Sequence, residues 1–301
     1  TLDEIMKSFG AKELCTECIN FYKSHNWSYN RLEGDVKDAI VLQVLQMIES
    51  DNQIIGAQER TKVWDDGWKE NLDMFLQTHE LESIYPKFIR PNQPVRFNSE
   101  FIKPDDKNFE RNYATLFVMW FSSEFMKTYD HIYEFGCGSG FNIIPMSQML
   151  PNKHIVGTDF SPSAVQLIKE ISKTYNLNVD SSFFDMIIPD YSLDIKPNSV
   201  VLTFGALEQL AGSFHAIVDY WLKKKPALLM HVEPTIEFLS QDNLLDYLAI
   251  KFMKRRGYTQ GFVSYLRQLS EEGKVEIIKE KRLYFGSLKI EGYNYIIWKP
   301  V

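Results

Sequence analysis

Three glycines in five positions, within the stretch YEFGCGSGFN, constrain the fold of this chain more than any other feature. A short apolar run of strand character, residues 131–135, precedes the glycines, and a helical pattern, residues 141–150, follows them. Glycine permits positive φ and lets a ligand approach the main chain without a Cβ in the way. The turn ends at a helix N-terminus, where free N–H groups favour a carboxylate or phosphate. We therefore predict a strand–turn–helix unit that binds a ligand at its turn.

From His131 onward, short apolar runs alternate with helical patterns. This alternation predicts a parallel sheet that is covered by helices on both faces. Near the end of the chain, two apolar runs, residues 274–288 and 293–300, are separated by only a few residues. Strands joined by so short a connection pair antiparallel. We therefore expect an α/β fold whose mainly parallel sheet carries an antiparallel hairpin at its edge.

The first part of the chain has a different pattern. Apolar residues recur at helical spacing in four segments before residue 125, and this predicts a mostly helical region. Residues 85–106 contain four prolines and little periodicity, so we expect an ordered loop there. The chain is accordingly predicted to divide into a helical lid or substrate region, residues 1–125, and a second domain, residues 126–301.

Composition limits the classes of function. The net charge is −7, which argues against nucleic acid as a partner because phosphate binding needs a basic surface. Cys15 and Cys18 form a C-x-x-C, but no second pair at similar spacing completes a zinc site, so no metal is expected. The start of the chain lacks the apolar core of a signal peptide, and no apolar stretch approaches a membrane span. A cytoplasmic protein that binds no membrane is the expectation.

The spacing of the glycine turn is Glu134-x-Gly136-x-Gly138-x-Gly140, with Cys137 inside it. It resembles motif I of the class I S-adenosylmethionine-dependent methyltransferases, in which an acidic residue precedes the glycines. A dinucleotide fingerprint would need a third glycine where this chain has a phenylalanine. The resemblance implies a Rossmann-like, mainly parallel seven-stranded sheet, S-adenosylmethionine as cofactor, and the glycine turn as part of its site.

Later strand ends extend this resemblance. Asp159 ends the second predicted strand, where the family places the acid that binds the ribose, and Phe160 would lie beside the adenine. Asp185 ends the third and could accept from the adenine amino group, with Met186 flanking the ring. Phe204 ends the fourth, which resembles the motif that lines the sulfonium. Asp159 would also suit a helix N-cap and Asp185 an ordinary turn.

Three residues near the ends of the fourth and fifth strands are candidates for catalysis: Glu208, His231 and Glu233. Transfer to oxygen usually requires that a base remove a proton, and a carboxylate or imidazole can do so. His231 would equally suit packing between sheet and helix. Gln209 stands where many relatives have histidine, so we expect no base at that position.

The resemblance implies methyl transfer to oxygen or nitrogen of a small polar metabolite, such as a sugar or a specialised-metabolite intermediate. Arg90, Arg96 and Arg111 lie among aromatic residues and could bind an anionic acceptor or form ordinary ion pairs. A homodimer is possible. A non-catalytic cofactor-binding scaffold and an NAD- or FAD-dependent oxidoreductase are the alternatives.

Overall fold

The computed structural model describes residues 1–53 and 58–301. The helices are α1 (Leu2–Phe9), α2 (Thr16–Lys23), α3 (Gly34–Glu49), α4 (Gln58–Thr78), α5 (Phe109–Phe125), α6 (Ile143–Met149), α7 (Pro162–Tyr175), α8 (His215–Lys224), α9 (Leu244–Arg256) and α10 (Phe262–Glu271). The strands are β1 (Tyr29–Arg31), β2 (Val95–Phe97), β3 (Glu100–Pro104), β4 (His131–Phe135), β5 (His154–Asp159), β6 (Val179–Phe183), β7 (Ser199–Phe204), β8 (Leu228–Val232), β9 (Val275–Lys281), β10 (Phe285–Gly286) and β11 (Tyr295–Pro300).

A seven-stranded sheet forms the centre of the molecule, in the order β6-β5-β4-β7-β8-β11-β9. Neighbouring strands from β6 to β8 are parallel, whereas β11 is antiparallel to both β8 and β9. This arrangement confirms the expected Rossmann-like α/β class and the antiparallel C-terminal hairpin. The carboxyl ends of the five parallel strands share one edge, where open α/β sheets bind their ligands.

Helices bury both faces of this sheet because its strands are apolar on both sides. Along β4, Ile132 lies in a core with residues of α1, α5 and α6, whereas its neighbour Tyr133 lies in a second core with residues of α8 and α10. The alternation follows from the two-residue period of a strand. Since α5 covers the sheet directly, residues before 126 form part of its hydrophobic core. The division at residue 125 stays a prediction.

A second, four-stranded sheet has the order β1-β3-β2-β10. It contradicts the expectation of a loop over residues 85–106, because β2 and β3 form an antiparallel hairpin there. Asn98 and Ser99 connect the two strands, and both have left-handed backbone conformations, with φ of 50° and 65°. Positive φ at both central residues is typical of a tight hairpin turn. The prolines lie outside the turn, and β10, which pairs with β2, comes almost 200 residues later and gave no local signal.

A buried ion-pair network joins the C-terminal part to α9. The guanidinium of Arg282 donates to Asp246 Oδ2 at 2.9 Å and to Glu291 Oε2 at 2.6 Å. Asp246 and Glu291 are both buried, so each carboxylate depends on this arginine for its charge partner. Such a network is costly to break, since removal of one partner leaves the other charges buried and unpaired.

Within residues 1–53 and 58–301, no helix is long and apolar enough to cross a membrane. The expected cytoplasmic location stays a prediction.

Replacement of Arg282 by glutamine is expected to lower the free energy of unfolding by about 3–5 kcal/mol, because two buried carboxylates lose their partner. The matched control is Arg267→Gln, since Arg267 also donates twice to one carboxylate, Glu280, but on the surface. Its loss should be about 0–1 kcal/mol. Urea unfolding of the two variants measures both values, and equal losses would contradict the account.

Candidate active site

The glycine turn lies between β4 and α6 and is tied to the neighbouring strand. The N–H groups of Gly136 and Cys137 both donate to the carbonyl oxygen of Thr158, at 2.8 and 3.0 Å. Gly136 has φ of 75°, and a Cβ placed on it would lie 2.4 Å from Cβ of Ala206. The segment that follows β7 therefore packs on the bare backbone of the turn, which only glycine allows.

Two of the predicted residues lie beneath the turn rather than on its open side. Glu134 is fully buried, and Asn142 Nδ2 donates to its Oε1 at 2.9 Å. Within the described part of the chain its Oε2 has no hydrogen-bond partner, and burial raises the pKa of this carboxyl to about 8. Cys137 is also buried, and burial raises the pKa of its thiol. Both side chains therefore support the turn from the protein interior.

Asp159, at the end of β5, links two neighbouring backbone segments. Its Oδ2 accepts from the N–H of Gly138 and its Oδ1 accepts from the N–H of Ser161, both at 2.9 Å. Burial raises the pKa of the Asp159 carboxyl to about 6, although these N–H groups act in the opposite direction. A carboxylate can accept about four hydrogen bonds, so two positions remain for a ligand hydroxyl pair.

The end of β6 brings further predicted residues to the same edge. Met186 is buried, and its Cε lies 3.5 Å from the position that a Cβ on Gly136 would take. Asp185 is half-buried, and its Oδ1 accepts from the N–H of Ile187 at 2.8 Å, so it does form a local turn. Phe160 is half-buried directly after β5. These side chains surround the open end of the sheet.

Helix α4 lies over this edge and is tied to it by Asp65, a residue that the sequence analysis did not name. Asp65 Oδ1 accepts from Ser161 Oγ at 2.5 Å and from the N–H of Ser163 at 3.1 Å. The indole of Trp68 lies against the glycine turn, because a Cβ on Gly138 would lie 2.7 Å from its Cζ2. Trp64 stacks on Trp68, with ring centroids 5.4 Å apart. The sequence WDDGW, with two acids between tryptophans, was the available signal.

The three candidates for catalysis already have partners in the protein. Glu233 accepts from the N–H groups of Ala206 and Leu207, both at 3.1 Å, and also from that of Glu208. His231 Nδ1 lies 2.9 Å from Thr203 Oγ1, and its ring stacks on Trp221 at a centroid distance of 5.0 Å. This environment is the packing between sheet and helix that was the alternative for His231.

Burial changes the protonation of these same groups. It raises the pKa of Glu208 to about 8, with the charge of Glu233 as the next cause, and raises the pKa of Glu233 to about 7. It lowers the pKa of His231 to about 3, so the ring stays neutral at physiological pH. The cavity next to Glu208 and Glu233 has a volume of about 20 Å³, which is room for one water molecule. The catalytic roles of the three residues stay predictions.

The donor set at this edge fits the cofactor that the sequence suggested. Asp159 retains two acceptor positions for the hydroxyls of a ribose. The glycines of the turn have no side chains of their own to cover its backbone. Phe204, at the end of β7, is half-buried and lies 6.4 Å from the ring of Phe141 in the turn. Chemically the residues match an adenosyl group, and α4 lies across the opening.

Comparison with known proteins gives a family match for part of the chain. Residues 132–220 match the family described as "Methyltransferase domain". This segment contains the glycine turn and the strand ends described above. For this part of the chain, the match confirms the expected methyltransferase domain and the expected cofactor, S-adenosylmethionine.

Three curated relatives cover parts of the chain. It is 25% identical over 269 residues to the tRNA(Thr) (cytosine(32)-N(3))-methyltransferase of Saccharomyces cerevisiae, covering 77% of this chain and 40% of that protein. It is 30% identical over 121 residues to the tRNA N(3)-methylcytidine methyltransferase trm141 of Schizosaccharomyces pombe, covering 37% and 48%. It is 25% identical over 145 residues to O-methyltransferase 3 of Dictyostelium discoideum, covering 45% and 31%. The chain spans less than half the length of each relative.

These relatives correct one expectation. The prediction of a small-molecule acceptor and of no nucleic acid is wrong, because two of the relatives are named for action on tRNA. The exclusion of nucleic acid rested on a net charge of −7, which is a sum over the whole chain. Binding of a polyanion depends instead on the local distribution of charge.

Replacement of Gly138 by alanine is expected to lower the free energy of unfolding by about 1–2 kcal/mol, because its φ of 52° is unfavourable for a residue with a Cβ. The loss is expected to be larger if the indole of Trp68 cannot move away from the new Cβ. Gly212→Ala is the matched control, since nothing lies within 4 Å of its added Cβ. That change should stay within about 0.5 kcal/mol of wild type. Thermal unfolding followed by circular dichroism compares the two, and an unaffected Gly138 variant would contradict the described contact.

Proposed function

We propose that this protein transfers a methyl group from S-adenosylmethionine to a ring nitrogen of a nucleobase in RNA, with N3 of cytosine as the acceptor atom. The observation that carries methyl transfer is the match of residues 132–220 to a methyltransferase domain, together with the position of Asp159 beside the glycine turn. The names of two relatives support cytosine in RNA as the acceptor.

The proposed cofactor site consists of residues at the carboxyl edge of the sheet. Asp159 accepts from the ribose hydroxyls, and Phe160, Asp185 and Met186 surround the adenine. The backbone of residues 136–140 lies along the methionine part, and Glu134 supports the turn from below through Asn142. When bound, S-adenosylmethionine supplies a methyl group on a sulfonium, and the sulfur keeps the electron pair of the broken bond.

A ring nitrogen as acceptor agrees with the state of the candidate bases. Transfer to a hydroxyl oxygen needs a base, whereas N3 of neutral cytosine has a lone pair and needs none. His231 lies between Thr203 and Trp221, and Glu233 is engaged by three backbone N–H groups. Neither side chain has to leave these contacts for methylation of a neutral nitrogen.

Local charge also supports an RNA acceptor. Residues 87–107 contain four exposed cations, Lys87, Arg90, Lys103 and Lys107, against three acids, Glu100, Asp105 and Asp106, in an otherwise acidic chain. Of these, Lys87 pairs with Glu70, and Lys103 Nζ donates to the carbonyl oxygen of Asn92 at 2.5 Å. Such a local cluster attracts phosphates even where the net charge of a protein is negative.

The direct test is incubation with S-adenosylmethionine labelled on its methyl group and an RNA hairpin that carries one unpaired cytosine. We expect label in N3-methylcytidine after digestion to nucleosides, and none when uracil replaces that cytosine. Cofactor binding without label in any RNA would contradict the proposal and favour the non-catalytic scaffold. Binding of NAD or FAD in its place would favour the oxidoreductase.

Cofactor affinity is expected to fall as the pH is lowered through about 6. Asp159 must be ionised to accept from both hydroxyls, and burial raises its pKa to about 6, so the free protein takes up a proton below that pH. The dissociation constant should then rise by up to about tenfold per pH unit. Calorimetric titration of S-adenosylhomocysteine measures this.

The Asp159→Asn variant should bind the cofactor about tenfold more weakly at neutral pH, about 1.4 kcal/mol, and lose the pH dependence. Asp180→Asn is the control, because Asp180 lies on β6 and its carboxylate is exposed beside His154. An Asp159→Asn variant with the affinity and pH profile of wild type would contradict the assignment.

A further inference from the structure

We infer that the cavity between residues 85–91 and 108–111 is the acceptor pocket, and that Glu110 in its wall receives the exocyclic amino group of the methylated base. This inference rests on the proposed function and extends it by naming the pocket and the residue that selects the base. The sequence analysis had instead named Glu208, His231 and Glu233, near the ends of β7 and β8, as the residues that act on the methyl acceptor.

The cavity is large enough for a nucleotide. Its volume is about 320 Å³, within the range of small-molecule sites. Polar side chains from both of its walls line it: Arg90 from the segment after α4, and Asn108, Glu110 and Arg111 from the start of α5. By contrast, the cavity beside Glu208 and Glu233 has about 20 Å³ and cannot admit a base.

Glu110 is a carboxyl group in the wall of this cavity that has no partner in the described part of the chain. Among residues 1–53 and 58–301 it makes no hydrogen bond and no ion pair. Glu110 is half-buried, and it faces the cavity because it is one of the lining residues. Removal from bulk water raises its pKa to about 7. A carboxyl in this state gains most from a ligand that donates hydrogen bonds.

The cavity adjoins the glycine turn through a run of aromatic contacts. Glu110 lies close enough to Tyr293 to raise the pKa of its phenol, after burial as the main cause. The ring of Tyr293 lies 5.7 Å from that of Phe204, and Phe204 lies 6.4 Å from Phe141 in the turn. Phe88, which is next in sequence to the lining residues Lys87 and Ile89, lies 6.5 Å from the same Phe141. Aromatic contacts therefore connect the surroundings of the cavity to the edge where the cofactor is proposed to bind.

The wall also offers a flat surface for a base. The guanidinium of Arg111 lies 3.5 Å from the ring centroid of Tyr85, and its Nη1 donates to Glu82 Oε1 at 2.5 Å. Nucleobases stack on aromatic rings and on guanidinium planes. Arg90, exposed at the mouth and without an ion pair among the described residues, is placed to meet a phosphate.

Glu110 selects cytosine over uracil by its chemistry. The carboxylate accepts from the N4 amino group of cytosine, whereas uracil has an acceptor oxygen at that position. When the N3 lone pair forms its bond to the methyl carbon, the ring gains one positive charge, which spreads onto N4. An ionised carboxylate beside N4 stabilises this charge.

The experiment compares CMP with UMP for binding to the protein saturated with S-adenosylhomocysteine, so that no turnover is needed. Each nucleotide is titrated to millimolar concentration and followed by calorimetry. We expect wild type to bind CMP at least tenfold more tightly than UMP. Glu110→Gln should reduce this preference to twofold or less or reverse it, because the amide can donate to O4 of uracil. Affinity for S-adenosylhomocysteine should not change.

Glu124→Gln is the matched control, since Glu124 lies on the same helix but is exposed. It should keep the wild-type preference, and circular dichroism establishes that both variants are folded. A Glu110→Gln variant that still prefers CMP as wild type does would overturn the inference, as would wild type that binds neither nucleotide. A Glu110-dependent preference for CMP without RNA methylation would instead contradict the proposed function and leave the pocket standing.

Discussion

The pair of hydrogen bonds that Asp159 accepts from the N–H groups of Gly138 and Ser161 organises the whole edge of the sheet. It joins the turn after β4 to the segment after β5, so one carboxylate sets the position of two loops. Burial makes that carboxylate easier to protonate, yet the backbone donors oppose this effect. The same two bonds leave acceptor positions free for a ligand. The structure of this edge and the proposed binding of the cofactor therefore depend on the same group.

The acids near the site divide by what each one contacts. Glu134 supports the glycine turn, and Glu233 is bound to the backbone after β7. Asp65 ties α4 to the start of α7 through Ser161 and Ser163. Glu110 differs from all of these, because it faces a cavity and has no hydrogen bond in the described part of the chain. This difference is the reason that Glu110 is proposed to bind the acceptor.

Local sequence signals predicted the sheet, its antiparallel edge and the residues at the strand ends, because a glycine turn and the alternation of strand and helix act over a few residues. Contacts between distant segments gave no such signal. The bond between Asp65 and Ser161 joins residues 96 apart, and β2 pairs with β10 from the far end of the chain.

Glu110 could have been noticed, since it precedes Tyr113 and Phe117 by three and seven residues and so lies on the apolar face of α5. The acceptor was misjudged because net charge does not describe a local surface.

The central claim is that the cofactor binds at the carboxyl edge of the sheet, on Asp159 and the glycine turn beneath α4. A crystal structure of the protein with S-adenosylhomocysteine tests it most directly. The account predicts both ribose hydroxyls within hydrogen-bond distance of the Asp159 carboxylate, and the indole of Trp68 moved from its present contact with Gly138 or packed on the ligand. A cofactor bound elsewhere, or an Asp159 carboxylate that touches only Gly138 and Ser161, would contradict it.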